Sequence, residues 1–174
     1  MQDNNSSVTL RDGEETVALP PADDAGLIFI GRIRTPWTDR EQAPRNPRES
    51  EALCTVELDP RFAKGLAGLD TCSHIILLYW LHLARRDLIL QRPRFSNTVI
   101  GTFALRSPMR PNPIGLAVAE LVNVEGTRLT VRHVDCLDGT PLIDIKPYFA
   151  SVDAVPEASV GWHSGRDKPL PARG

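Results

Sequence analysis

At 174 residues, with 41% hydrophobic content and a formal charge of −2, the chain is long enough to bury the core of one domain. It has no apolar run of membrane-spanning length, and its polar N-terminus lacks a signal-peptide core, which predicts a cytoplasmic protein without a membrane partner. Cys54, Cys72 and Cys136 share no CxxC spacing and read as reduced thiols, which excludes a disulfide frame and a cysteine zinc site.

Residues 1–26 set Asp3, Asp12, Glu14, Glu15, Asp23 and Asp24 against Arg11 and run into Pro20-Pro21, predicting an acidic, flexible tail. A domain is expected over 27–162, then an irregular C-terminal tail over 163–174. Leu27 to Arg34 predicts a strand, with β-branched and aromatic residues first and alternation across Arg32, Ile33 and Arg34, stopped by Pro36. Thr38 to Ser50, with Pro44 and Pro47, predicts a long loop of the kind that tends to carry function. Leu53 to Leu58 alternates, with Cys54, Val56 and Leu58 on one face of a strand. Asp59-Pro60 caps a short predicted helix to Lys64, closed by Gly65.

His74 to Leu83 is apolar almost throughout and fits a buried strand or a buried helix, with Ile75, Ile76, Tyr79 and Trp80 favouring the strand. Thr98–Leu105, Ile114–Val124, Arg128–Val134 and Leu142–Lys146 are further strand candidates, with a turn at Glu125-Gly126 and irregular chain after Pro147. Many short strands and few helical signals predict a mainly β fold, a small antiparallel β-barrel with short helices and long loops.

The segment from Gly101 to Gly115 carries Arg106 and Arg110 between Pro108, Pro111 and Pro113. Each proline fixes its own φ and pushes the preceding residue toward extended geometry, so the guanidinium groups are pre-aimed. Such arginines suit a carboxylate or phosphate held by paired hydrogen bonds; the alternative is a rigid surface connection with solvated arginines. Residues 85–110 as a whole set Arg85, Arg86, Arg92, Arg94, Arg106 and Arg110 against Asp87, a local surplus that attracts polyanions. With only Phe95 and Phe103 interleaved, it is a weak nucleic-acid signal, and a solvated edge is the other reading.

On an ideal strand, Asp144 and Lys146 share a face with Leu142 while Ile143 and Ile145 point the other way. They form either a pair lining a pocket or a structural ion pair. Asp138-Gly139 reads as a tight turn. His74 and His82 would lie about 26 Å apart on a strand and about 12 Å apart on a helix, too far to share a zinc ion, so no metal site is expected. Neither GxGxxG nor GxxxxGK[ST] occurs, which disfavours a Rossmann cofactor fold and a P-loop.

Taken together, Ile30-Gly-Arg-Ile-Arg-Thr-Pro36, Ala43-Pro-Arg45, Gly68-Leu-Asp70 with Ser73-His74, the apolar run to His82, Gly101 through Gly115, and Asp138-Gly-Thr-Pro-Leu-Ile-Asp-Ile-Lys-Pro-Tyr148 form a specific set. On these motifs the chain resembles the TsaA-like proteins, the TrmO-type tRNA methyltransferases, over about residues 27–162. The resemblance implies a homodimeric β-barrel that binds S-adenosyl-L-methionine. It also implies methyl transfer to the exocyclic nitrogen of threonylcarbamoyl-adenosine beside the anticodon of tRNA. Donor contacts would fall at Pro44, Arg45 and Asn46, at His82 and Leu83, at Arg106 and Leu116, and at His133, Val134 and Asp135. Asn46 stands where glutamine is expected and is the shorter amide.

Arg110 and Asn112 would meet the acceptor, with Asp138, Asp144 and Lys146 as catalytic candidates and water as an alternative base. Bacterial relatives often continue into a further C-terminal domain, so the expectation here is that the barrel dimer grips tRNA. The rival expectations are a methyltransferase of the same fold acting on a small molecule, and a non-catalytic, regulatory S-adenosyl-L-methionine-binding module.

Overall fold

The computed structural model describes residues 10–21, 26–93 and 97–163. Arg94, Phe95 and the C-terminal tail from residue 164 lie outside the described residues. The strands are β1 (Glu15–Thr16), β2 (Gly31–Arg34), β3 (Cys54–Leu58), β4 (His74–Trp80), β5 (Leu88–Gln91), β6 (Ile100–Gly101), β7 (Ile114–Glu125), β8 (Arg128–Arg132) and β9 (Thr140–Pro147). Strands β2, β3, β8, β7, β4 and β9 close into a barrel in that order, every pairing antiparallel, while β1, β5 and β6 form a separate small sheet. The mainly β barrel expected from the sequence is the fold observed.

The barrel interior is set by size matching between β4 and β7. Ile75, Leu77 and Tyr79 point inward opposite Ala119, Ala117 and Gly115. Large side chains on one strand meet small ones on the next, which lets a narrow barrel accommodate them. Gly115 is obligatory in this scheme, because a Cβ there would fall within the Tyr79 ring. Ile33, Val56, Leu129, Val131 and Leu142 complete the same core. The apolar run from His74 is thus a strand with alternating burial, ending at Trp80 where the sequence allowed Leu83.

Several predicted elements differ from those observed. Ladder pairing of the first predicted strand begins only at Gly31, and Leu27, Ile28 and Phe29 are exposed and outside any strand. The short helix after Asp59 is a 3-10 helix, Pro60–Leu66, whose first turn is capped by the Asp59 carboxylate accepting from Arg61 N. Predicted strand Thr98–Leu105 shrinks to β6 and a 3-10 turn at Thr102–Ala104, since the buried Thr102 hydroxyl turns away to donate to Leu88 O. Strand β8 stops at Arg132 because His133 adopts φ +66°, outside any strand conformation. The chain after Pro147, expected to be irregular, contains a short helix, α1 (Ala150–Asp153).

In β9 the register against β4 slips: Leu78 faces Asp144, but Tyr79 faces Leu142, leaving Ile143 as a bulge. A bulge changes which face the following residues occupy. It overturns the expectation that Asp144 and Lys146 share a face with Leu142. Leu142 is fully buried, whereas Asp144 and Lys146 lie on the outer surface beside Leu78 and Ile76, their side chains 41% and 58% exposed.

Part of the predicted acidic tail is folded. Thr16 and Glu15 pair with Leu88 and Leu90 of β5. The Arg92 guanidinium bonds Asp12 Oδ2 at 2.9 Å, and Arg92 N donates to Glu14 Oε1 at 3.1 Å. Asp12 and Glu14 thus find a partner in Arg92, just past β5, while Asp3, Asp23 and Asp24 lie outside the described residues.

Candidate functional site

A cavity of about 700 Å³ opens at one end of the barrel, between the 38–50 loop, the loop after residue 101, the ends of β4 and β7, and the 135–140 segment. That volume lies within the range of about 300–1,000 Å³ typical of small-molecule sites. Tyr79 and Asp135 stand at its barrel side, where the Tyr79 hydroxyl donates to Asp135 Oδ1 at 3.1 Å. Burial, reinforced by the neighbouring Asp135 charge, raises the Tyr79 pKa well above the ordinary phenol value, so the hydroxyl stays protonated and donating.

Arg40, Arg45, Arg106 and Arg110 line the cavity with Asp135 as the carboxylate among them. Arg106 Nη2 donates to Leu116 O at 3.0 Å, which aims an exposed guanidinium along the end of β7. Arg110 is engaged differently. Its Nε donates to Ser107 O and its Nη2 to Thr102 O, at 3.1 and 3.0 Å, with a further bond to Leu105 O. It ties the loop to itself, with its Nε and Nη2 donors committed to carbonyls. The rim is apolar, made by Leu83, Ile114 and Leu116, each exposed.

Of the residues expected around a donor, Arg45, Asn46, His82, Leu83, Arg106, Leu116 and Asp135 line this cavity. Asn46 also N-caps the Pro47–Glu49 turn, its Oδ1 accepting from Arg48 N at 3.1 Å, so part of its short amide is already committed. Pro44 is absent from the lining, although its neighbours on both sides contribute to it. His133 and Val134 are buried behind the wall, with His133 Nε2 3.9 Å from Glu120 Oε2. The left-handed turn at His133 nonetheless directs the chain so that Asp135 and Cys136 reach the cavity.

Asp138, Asp144 and Lys146 are not brought together with the cavity. Asp138 sits in a tight turn with Gly139 at φ +75°, its Oδ1 accepting from Thr35 N at 3.1 Å and its Oδ2 3.5 Å from Arg34 Nη1. Asp144 and Lys146 pair with each other at 2.7 Å on the outer wall. Asn112 lies outside the cavity, its Oδ1 3.5 Å from Arg86 Nη2. Beside Arg40 and Ile114, Tyr79 is a site residue that sequence reasoning missed. Its signal was there: a hydroxyl at the end of an otherwise apolar strand needs a partner when it turns inward. Among the described residues, no cluster of His, Cys, Asp or Glu is arranged to hold a metal ion. No described helix is long and apolar enough to cross a membrane.

Comparison with known proteins gives a consistent set of matches. Residues 32–154 fit the model of the tRNA-methyltransferase O N-terminal domain. The probable S-adenosyl-L-methionine-binding protein VirR of Rhizobium radiobacter is 47% identical over 141 residues, 81% of either chain. The tRNA (adenine(37)-N6)-methyltransferase of Mus musculus is 42% identical over 155 residues, 82% of this chain but 36% of the mouse protein. A crystal structure of TrmO from Pseudomonas aeruginosa superimposes with a TM-score of 0.67 at 37% identity, covering 79% of this chain and 62% of that one.

Proposed function

The chain belongs to the tRNA-methyltransferase O N-terminal domain family, and on that premise we propose that it is an S-adenosyl-L-methionine-dependent tRNA methyltransferase. We assign it the exocyclic nitrogen of a threonylcarbamoyl-adenosine next to the anticodon. The observation that carries the reading is the charge make-up of the cavity: one carboxylate, Asp135, held by Tyr79, in a lining that also carries Arg40, Arg45, Arg106 and Arg110.

The donor's groups fit that layout. Its carboxylate calls for an arginine, which Arg106 supplies with its guanidinium already oriented by Leu116 O. Its ammonium and sulfonium call for a carboxylate, which Asp135 supplies. When bound, the donor provides an electrophilic methyl group. Leu83, Ile114 and Leu116 offer an apolar rim, and Arg40 and Arg45 in the lining attract the polyanionic acceptor. The acceptor nitrogen is a weak nucleophile, so positioning supplies much of the rate, and its proton leaves to water at the open mouth. Asp138 and Asp144 are already engaged outside the cavity and are not needed as bases in this scheme.

The partner is a second copy of the chain. Ile76, Leu78, Ile114, Leu116 and Val118 face outward from β4 and β7 as one apolar surface that continues into the cavity rim. A donor-binding module without transfer is the second reading. It is favoured by the match to the S-adenosyl-L-methionine-binding VirR along most of both chains, while the chain spans about three-fifths of the TrmO structure.

Incubation with labelled S-adenosyl-L-methionine and either unmodified or threonylcarbamoylated tRNA separates these readings. Label in the modified tRNA alone supports the leading one. Donor binding with no transfer to either tRNA supports the module, and absence of donor binding defeats both. Within the leading reading, Asp138→Asn is expected to leave kcat within about twofold, since an amide still accepts from Thr35 N; a loss of a hundredfold or more would make Asp138 the base.

A further inference from the structure

The cavity's arginine loop is not held by the barrel alone. It hangs from the small second sheet through buried polar groups that do not line the cavity. Gln91, at the end of β5, is 3% exposed, and Thr102 is fully buried. Gln91 Nε2 donates to Thr102 Oγ1 at 2.7 Å and to Met109 O at 2.6 Å. Thr102 Oγ1 in turn donates to Leu88 O at 2.9 Å, and Thr102 O accepts from Arg110 at 3.0 Å. The chain of bonds therefore runs from β5, through one side-chain amide, to both ends of the segment that presents Arg106, Ser107 and Pro108 to the cavity.

We propose that Gln91, with Thr102, is a positioning residue that sets the height and tilt of the arginine–proline loop over the donor cavity. This rests on the reading of Arg106 as the donor's carboxylate clamp. The prolines make the loop stiff, so it moves as a unit and its placement is decided at its anchor points. A glutamine amide suits such an anchor because its two hydrogens reach two acceptors at fixed relative positions. An apolar residue of similar volume leaves Met109 O and the Thr102 hydroxyl without that donor in a dry setting, and the loop relaxes to recover solvent. A residue merely filling space would be replaceable by leucine with no effect on the cavity.

The test is donor affinity by calorimetry in the full chain. Gln91→Leu and Thr102→Val are each expected to raise the Kd for S-adenosyl-L-methionine by about tenfold, while Thr102→Ser, which keeps the hydroxyl, stays within about twofold. In an Arg106→Ala background Gln91→Leu is expected to add nothing, because the clamp it positions is gone. Additive losses in that background, or unchanged affinity in Gln91→Leu, overturn the proposal. Failure of the wild type to bind the donor at all defeats the Arg106 reading instead and is recognisable before any variant is made. Where the variants do not fold, hydrogen exchange in the wild type decides: the Leu105 and Met109 amides should exchange as slowly as those of β5. Exchange at free-peptide rates would mean that the loop is not anchored.

Discussion

The barrel carries two outer faces of opposite chemistry over one shared interior. On β2, β3 and β8 the outward positions include Arg32, Arg34, Glu57 and Arg128, with Arg34 and Arg128 bonding Glu57 from either side at 2.9 and 3.1 Å. On β4 and β7 the outward positions include Ile76, Leu78, Ile114, Leu116 and Val118, with His74 and Glu120 paired at the end away from the cavity. The inward residues are equally apolar beneath both. Closure of the barrel thus makes no demand on the outer pattern, which is free to record what each face meets: water on one side and, as proposed, a second copy on the other.

Substitutions on and between these faces test the contrast. Val118→Asp, outside the cavity, places a carboxylate in the apolar face and is expected to weaken self-association at least about a hundredfold, because burying an unpaired charge is costly. Light scattering checks it; a wild type that stays monomeric at high concentration removes the proposed occupant of that face. Arg106→Ala, at the edge of the same face, is expected to weaken donor binding about tenfold or more, consistent with about 1.5–3 kcal/mol for a charge-assisted bond. Unchanged affinity would sink the clamp.

Inside the barrel, Gly115→Ala forces the added methyl into Tyr79 and is expected to cost about 1–3 kcal/mol in denaturant unfolding. The interior also titrates. Burial pushes the Cys54 thiol up to about 11 and Cys136 up to about 12, from an ordinary value of 9.0. Above pH 9 the unfolded chain loses thiol protons that the folded chain retains, so this stability is full below that pH and declines as pH rises toward 11. The urea midpoint followed from pH 8 upward should fall less steeply in Cys136→Ala; parallel curves would contradict it. Smallest of all, Arg34→Ala on the charged face should leave the urea midpoint almost unchanged, and added salt should erase any difference that remains.

Legibility in the sequence followed the same division. Alternation exposed β3 fully, since Cys54, Val56 and Leu58 face a core and Thr55 and Glu57 do not. β5 escaped because Leu88-Ile89-Leu90 has no alternation and is flanked by arginines that suggested a solvated edge. The bulge at Ile143 was invisible because Leu142 and Ile143 are both apolar, and it moved Asp144 and Lys146 off the face of Leu142 to the outer wall, where they form the ion pair that was one of their two readings. At the site, the family motifs supplied Arg45, His82, Arg106 and Asp135. They did not supply the distinction between Arg106, which bonds one carbonyl, and Arg110, whose Nε and Nη2 bond three carbonyls of its own loop; that depends on where backbone oxygens lie.

The docking of Glu15–Thr16 on β5 has a consequence for the handling of this protein. β5 pairs with β6 along one edge, and β1 covers the other with two residues, one of them charged. Short, charged strands are how natural sheets discourage edge-to-edge polymerisation. A chain shortened to begin after residue 21 would bare the Leu88–Gln91 edge and invite its molecules to add to one another strand by strand. What reads as dispensable acidic sequence would then be what keeps concentrated solutions clear.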